Sequence, residues 1–304
     1  MMKKFLIQLS LFLTLFACID SALGKILQYG EAHAIGGKTE RNYYINNKTH
    51  EDYLVFGSSR AVGHYVPDVF CNGKTTMYNC GEDETGIICF YSKINFIKQR
   101  YTPKVIIYDV YYVDLLDGLR FRNVDFLKTL KTSYGKTESV DSIFWRYEPT
   151  SRFKMLSNLY RYNSTSINIL IDNIRKTNWY DKGFYLLNTG TMKNAPVVEN
   201  SHKSYLYDEE KLQMLEKFIV ENKDEIQLFF AISPEYGKTN DEMYHPIKQL
   251  CKKYNVPLLN HYCDTTFTLH QELFANQNHL NYIGALKYSS IIKNEIQHNN
   301  NIDN

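Results

Sequence analysis

Two short stretches far apart in the chain hold residues that could do acyl-transfer chemistry together. Gly57-Ser58-Ser59-Arg60 follows an apolar run and sets two hydroxyls beside a guanidinium. Asn276-Gln277-Asn278-His279-Leu280-Asn281 offers an imidazole just ahead of a helical pattern. A serine hydroxyl is a weak nucleophile until a base takes its proton, so Ser59 needs a histidine brought to it in space, and His279 is the candidate. Each stretch alone has a plainer reading, because serines cap helices and a single histidine before a helix is commonly structural. Arg60 could hold a carboxylate or sugar oxygen beside the nucleophile, or pair with an acid at the turn. Glu235 and Tyr236, in Ser233-Pro234-Glu235-Tyr236-Gly237, end another apolar run and could line the same pocket, although Ser-Pro is also an ordinary strand ending. His64, a few residues along from Ser59, is expected at the surface.

These residues need a scaffold, and the apolar patterning supplies one. Residues 53–57, 75–81, 104–110, 226–233 and 256–260 are short, unbroken and rich in β-branched or aromatic side chains, which predicts buried strands. Residues 87–100, 208–222, 241–254 and 282–297 carry apolar side chains every three to four positions, which predicts helices. Strand-helix alternation implies parallel strands joined by right-handed crossovers. The expected class is α/β, a three-layer α/β/α sandwich with a mainly parallel sheet, flavodoxin-like in outline. Residues 111–200 break the rhythm and read as a helical insertion able to cap the carboxyl edge of the sheet. Ser59 lies just past the first strand, on the edge where open parallel sheets bind ligands. The glycine before it permits a tight strand-to-helix turn.

Taken together, Gly-Ser-Ser-Arg after the first strand and His-Leu-Asn-x-x-Gly-Ala before the last helix resemble the SGNH (GDSL-like) hydrolase family. The likeness is greatest to its exported branch of D-alanyl transfer proteins and alginate O-acetyltransferases, and it covers roughly residues 50–297. The resemblance implies Ser59 as nucleophile, His279 as base, and the backbone N–H groups of Ser59 and Gly81 as an oxyanion hole. It requires no cofactor. Two positions depart from the family pattern. Its acid, three residues before the histidine, is replaced by Asn276, and the third strand is followed by Asp109 and Tyr112 where an oxyanion asparagine belongs. An amide orients an imidazole but does not stabilise imidazolium as a carboxylate does, which lowers the expected rate. A carboxylate from elsewhere, Asp264 or Glu272, is the available substitute. The implied activity is that of a serine esterase or O-acyltransferase working through an acyl-enzyme on an acylated envelope glycan or another ester. A membrane acyl-transfer protein is a possible partner. The alternative is a weak or inactive relative that binds envelope glycan or a partner protein.

The rest of the chain bounds these readings. Of 304 residues, 44% are hydrophobic and 22% charged, enough for one large domain or a domain with an inserted subdomain. Lys+Arg 35 against Asp+Glu 33 leaves no basic stripe, so nucleic acid is not expected as a partner. The 25 tyrosines accompany abundant Asn, Lys and Ile, as compositional bias would produce. Of the six cysteines, five follow Cys18, and none has a partner at zinc-ligand spacing. No metal site is expected, and burial as small hydrophobes is the default for the cysteines. Lys3 and Lys4 precede a run from Phe5 to Ile19 broken only by Gln8, Ser10 and Thr14. This reads as a signal anchor over 1–27, next as a signal cleaved after Gly24, and last as a lipoprotein signal at Leu15-Phe16-Ala17-Cys18. In each case the basic flank keeps the N-terminus inside and places the rest outside the inner membrane, in the periplasm. A linker over 28–50, a hydrolase-like domain over 51–297 and a disordered tail over 298–304 complete the expected organisation.

Overall fold

Five apolar runs become the strands of one sheet: β1 (Tyr53–Gly57), β2 (Met77–Asn79), β3 (Val105–Asp109), β4 (Gln227–Ile232) and β5 (Leu258–Asn260). The computed structural model describes residues 1–118, 127, 129–176, 180–186, 190–194 and 205–302. Segments of the predicted insertion (119–126, 128, 177–179, 187–189 and 195–200), residues 201–204, and residues 303–304 of the predicted tail lie outside the described residues. The chain divides into two units, one of Met1–Lys48 with Val124–Trp179 and one of Thr49–Asn123 with Tyr180–Asn304.

In the second unit the strand order is β2-β1-β3-β4-β5 and every pairing is parallel. The sheet is central in a three-layer α/β/α fold. Period-two alternation assigns each strand residue a face. Val55, Ile107, Phe229 and Leu259 share a core with Tyr288 and Ile292 of the last helix, Tyr282–Ile302. Their neighbours face the opposite layer, where Phe56 meets Phe90 and Tyr108 meets both Phe90 and Phe218 edge to face. That layer is built from the helices Ile87–Lys98 and Glu209–Asn222. A short antiparallel pair, β6 (Phe274–Asn276) and β7 (His279–Leu280), precedes the last helix. The last helix ends at Ile302, so its predicted stop near Gln297 moves outward.

In the first unit one helix, Met2–His33, takes in the whole N-terminal apolar run and continues through 28–33, and a second helix spans Gly37–Asn47. The stretch 28–50, expected as a linker, is therefore largely helical. Its side chains explain this: Arg41, Ile45 and Asn46 are buried, and the Thr39 N–H donates to Asp172 Oδ2 at 3.0 Å. The helices Glu138–Tyr147, Asn158–Tyr162 and Ser166–Arg175 belong to the same unit. Asp20 does more than end the apolar run. Its carboxylate accepts from Ser157 Oγ (2.6 Å), the Asn158 N–H (2.7 Å) and the Leu159 N–H (2.9 Å), capping the Asn158–Tyr162 helix. Among the described residues, Met2–His33 is the helix long and apolar enough to cross a membrane.

Candidate active site

At the carboxyl end of β1 the chain must turn sharply to start the helix Ser59–His64. Gly57 has φ +149°, and a Cβ there would lie 2.6 Å from the Asp109 carbonyl oxygen and 2.7 Å from Ala61, so the turn requires glycine. Ser59 follows, half-buried, at the first position of the helix. Its Oγ lies 2.9 Å from His279 Nε2.

The β6–β7 pair sets the histidine. Asn276 pairs with His279 across the hairpin, and Asn276 Oδ1 accepts from the backbone N–H groups of Asn278 and His279, each at 3.0 Å. Those two donors fix which end of the amide faces inward. The same oxygen lies 3.0 Å from His279 Nδ1, so Nδ1 carries the proton and Nε2 presents its lone pair to the Ser59 hydroxyl. A serine hydroxyl that donates to a correctly tautomerised imidazole is the geometry general-base activation needs.

Behind the pair lies a buried polar cluster. The Arg60 guanidinium donates to the Ser233 carbonyl at the end of β4, stands 3.8 Å from Glu235 Oε2, and lies over the Tyr111 ring at 4.8 Å. Burial opposes the Arg60 charge, but Tyr244, Asp109, Glu235 and Tyr111 around it more than offset that, and its pKa is raised. Asp109 at the end of β3 accepts from Tyr65 OH (2.7 Å) and from Ser233 Oγ. Burial raises its pKa against the pull of Arg60 and these two hydroxyls. The same surroundings act on His279, whose pKa is pushed down to about 4, first by burial and then by the Arg60 charge. The imidazole is therefore a neutral base across the physiological range.

No protein-family model matches the chain, and no curated protein matches it. Among solved structures it is similar to a Streptococcus pneumonia protein provisionally assigned as a platelet activating factor, at 10% identity and a TM-score of 0.43 over 93% of this chain and 98% of the other. A second likeness is to a Lactobacillus plantarum protein, at 12% identity and a TM-score of 0.38 over 82% of this chain and 98% of that one.

The remaining candidates fall in different places. Gly81 lies against the first turn after Ser59, where a Cβ would sit 2.7 Å from the Val62 nitrogen, and its N–H donates to Asn79 Oδ1 at 3.0 Å. Glu235 is buried between Arg60 and Lys238, the latter at 3.2 Å. The Tyr236 ring packs on Phe274 at 5.8 Å, joining the core beneath the hairpin. Neither substitute carboxylate reaches the imidazole: Asp264 binds His261 and caps a helical turn, and Glu272 binds His270. His64 is fully buried rather than on the surface. Its Nε2 accepts the Leu280 N–H at 3.0 Å and its ring meets His279 edge on, so it holds the strand that carries the base. Among the described residues no group of three or more His, Cys, Asp or Glu could hold a metal ion, and none of the six cysteines is in a disulfide.

Sequence reasoning missed Asn79. Fully buried in β2, its amide donates to the carbonyls of Ala61 (2.7 Å) and Tyr65 (3.0 Å) and so ties the strand to the nucleophile's helix. The available signal was an asparagine inside an apolar strand, since a buried polar side chain is the informative exception.

Proposed function

We propose that this chain is a serine ester hydrolase or O-acyltransferase of the SGNH type. One observation carries the reading: Ser59 Oγ, His279 Nε2 and Asn276 Oδ1 lie in a single hydrogen-bonded line at the carboxyl edge of a parallel sheet. In the first half-reaction His279 Nε2 takes the Ser59 proton as Oγ bonds to the ester carbonyl carbon. The tetrahedral intermediate then collapses, the C–O bond to the alcohol breaks, and the Nε2 proton passes to the departing oxygen. In the second half-reaction water or a sugar hydroxyl gives its proton to Nε2 and attacks the acyl carbon, and Ser59 leaves with its proton restored. The backbone N–H of Ser59 begins its helix outside the internal ladder and is the oxyanion donor beside the reacting atom. For Gly81 to join it, its N–H must leave Asn79.

The substrate class follows from topology. The apolar helix Met2–His33, with Lys3 and Lys4 at its start, supports a single span with the sheet domain on the outer side of the inner membrane. Acylated envelope glycans and other envelope esters are the substrates available there, and a membrane acyl-transfer protein is the partner a transferase would use. A second reading, a weak or inactive binder of glycan or protein, draws on the same site. Asn276 does not stabilise an imidazolium, and the Arg60 charge disfavours one.

The deciding experiment treats the full chain in lipid nanodiscs with a fluorophosphonate probe. Intact mass should show one adduct, mapped to Ser59 and absent from Ser59→Ala. A folded wild-type chain that takes no adduct supports the binding reading instead.

A further inference from the structure

Ser166–Arg175 turns its apolar side outward. Ile167, Leu170, Ile171 and Ile174 recur at helical spacing and are exposed, Ile167 and Ile174 each by 70%, while Ile169 and Asp172 face inward. A surface helix of a water-soluble domain does the reverse. Just before Ser157, Phe153 and Leu156 are each 78% exposed, and Leu159 follows them. Single exposed apolar residues are ordinary, but a whole helix stripe joined by a phenylalanine and two leucines in one unit points to a non-aqueous neighbour.

The N-terminal helix fixes where these residues sit. Asp20, at the end of the densest apolar run, caps the Asn158–Tyr162 helix through Ser157, Asn158 and Leu159, so Phe153 and Leu156 are carried to that level. Beyond Asp20 the outward side of the N-terminal helix still exposes Leu23 and Ile26, with Lys25 beside them, while Gly24 lies against Asn158 on the docked side. From Phe5 to Ile26 a helix rises about 33 Å, close to the roughly 30 Å hydrocarbon core. Further along, Asn173 Nδ2 donates to the Gly30 carbonyl at 2.9 Å, which holds Ser166–Arg175 about 6 Å past Ile26 by helical rise, at headgroup depth. The Asp20 carboxylate is satisfied by the donors of a helix start, which lets it lie this near the lipid.

Resting on the reading of Met2–His33 as a retained span, we propose that residues 153–174 form a second membrane contact. In it Phe153 and Leu156 enter the hydrocarbon of the outer leaflet of the bilayer the helix crosses, and the Ile167–Ile174 stripe lies at its headgroup boundary with its apolar side against the acyl chains. The partner is lipid, recognised by apolar area and depth. Cleavage after Gly24 would remove Asp20 and with it the cap that sets this depth.

The test is photolabelling of the full chain in phosphatidylcholine–phosphatidylglycerol vesicles that contain a lipid with a diazirine in its acyl chain. Carbene adducts are expected on residues 5–26 and also on Phe153, Leu156, Ile167, Leu170 and Ile174. The variants Phe153→Ser/Leu156→Ser and Ile167→Ser/Ile174→Ser should each lose the adducts of their own segment while residues 5–26 stay labelled, which also reports that the variant is inserted. Adducts on 5–26 alone overturn this proposal and leave the span intact. No adducts on 5–26 overturn the span, and the proposal with it. Cross-links from 153–174 to a second copy of the chain, in place of lipid, assign the patch to self-association and likewise overturn it.

Discussion

Two polar regions meet at residues 59 and 60, and they are built on opposite principles. Along Ser59, His279 and Asn276 the hydrogen bonds run donor to acceptor between neutral groups that are only half-buried. Around Arg60 charged groups and phenols are buried, and Arg60 Nε and Nη1, Asp109 Oδ1, Glu235 Oε2 and the Tyr244 and Tyr262 hydroxyls have no hydrogen-bond partner among the described residues. A proton can move from Ser59 Oγ to His279 Nε2 in the first arrangement, while the Asn276 amide oxygen orients the ring without taking a proton. The second holds fixed charge whose field falls on His279 and lowers its basicity. The difference teaches that chemistry and tuning are divided between adjacent residues, with Ser59 in one region and Arg60 in the other.

The sharpest way to break the division is Ser59→Ala. It should cut hydrolysis of 4-nitrophenyl acetate by about 10³-fold or more while the thermal melting curve stays in place. Arg60→Met should do the opposite. Leaving Asp109 and Glu235 without their cation costs about 3–5 kcal/mol of stability, read by urea unfolding. In any Arg60→Met protein that remains folded, the acid limb of kcat/KM should shift upward, since the Arg60 charge is one of the two causes of the low His279 pKa.

The pH dependence sharpens the same contrast. The base must be neutral, so kcat/KM should rise through about pH 4 rather than near the ordinary imidazole value of 6.5. The folded pKa is depressed, so between these values the unfolded chain binds the proton that the folded chain refuses. Stability from His279 is complete above pH 6.5 and falls by about 3 kcal/mol as the pH drops to 4, which unfolding titrations in that window can check.

Asn276→Asp probes the neutral line from within. All three partners of Asn276 Oδ1 are N–H donors, so a carboxylate fits the loop without a clash of like groups. It should raise the His279 pKa and speed ester hydrolysis by about ten- to a hundredfold through imidazolium stabilisation. An unchanged rate in the folded variant would show that proton transfer to His279 does not limit turnover. The smallest effect belongs to Tyr65→Phe, which removes one donor from buried Asp109 and should cost about 1–3 kcal/mol in unfolding measurements with little change in the pH profile.

The strands were legible because each is a short apolar run bounded by polar or turn residues, and period two then assigns the faces. Ser59, Asn276 and His279 were legible as a candidate set through the resemblance carried by Gly-Ser-Ser-Arg and His-Leu-Asn-x-x-Gly-Ala, and Asn276 and His279 lie three residues apart across one hairpin. What escaped is what depends on distant partners. Arg60 reads as a ligand-binding cation or a partner for some acid at the turn, and which groups it meets, Ser233 and Glu235 after β4, appears only in the fold. His64 reads as a surface residue because nothing near it in sequence announces Leu280. The polar segment 37–47 lacks an apolar stripe, and its helix rests on contacts such as Thr39 to Asp172, 133 residues away.

The Asp20 cap has a consequence in time. Its partner Ser157 lies 137 residues later, and between them the chain makes three strands of the sheet. At a synthesis rate of about 5–20 residues per second, Asp20 waits about 7 to 27 s for its cap. During that interval the N-terminal helix carries a carboxylate without the donors that will satisfy it, while β1, β2 and β3 emerge with nothing yet to complete the unit before them. The first unit begins folding before the second and finishes after the second has started. A pause or a slow strand between residues 48 and 124 would therefore lengthen the exposure of the N-terminal helix rather than that of the sheet alone.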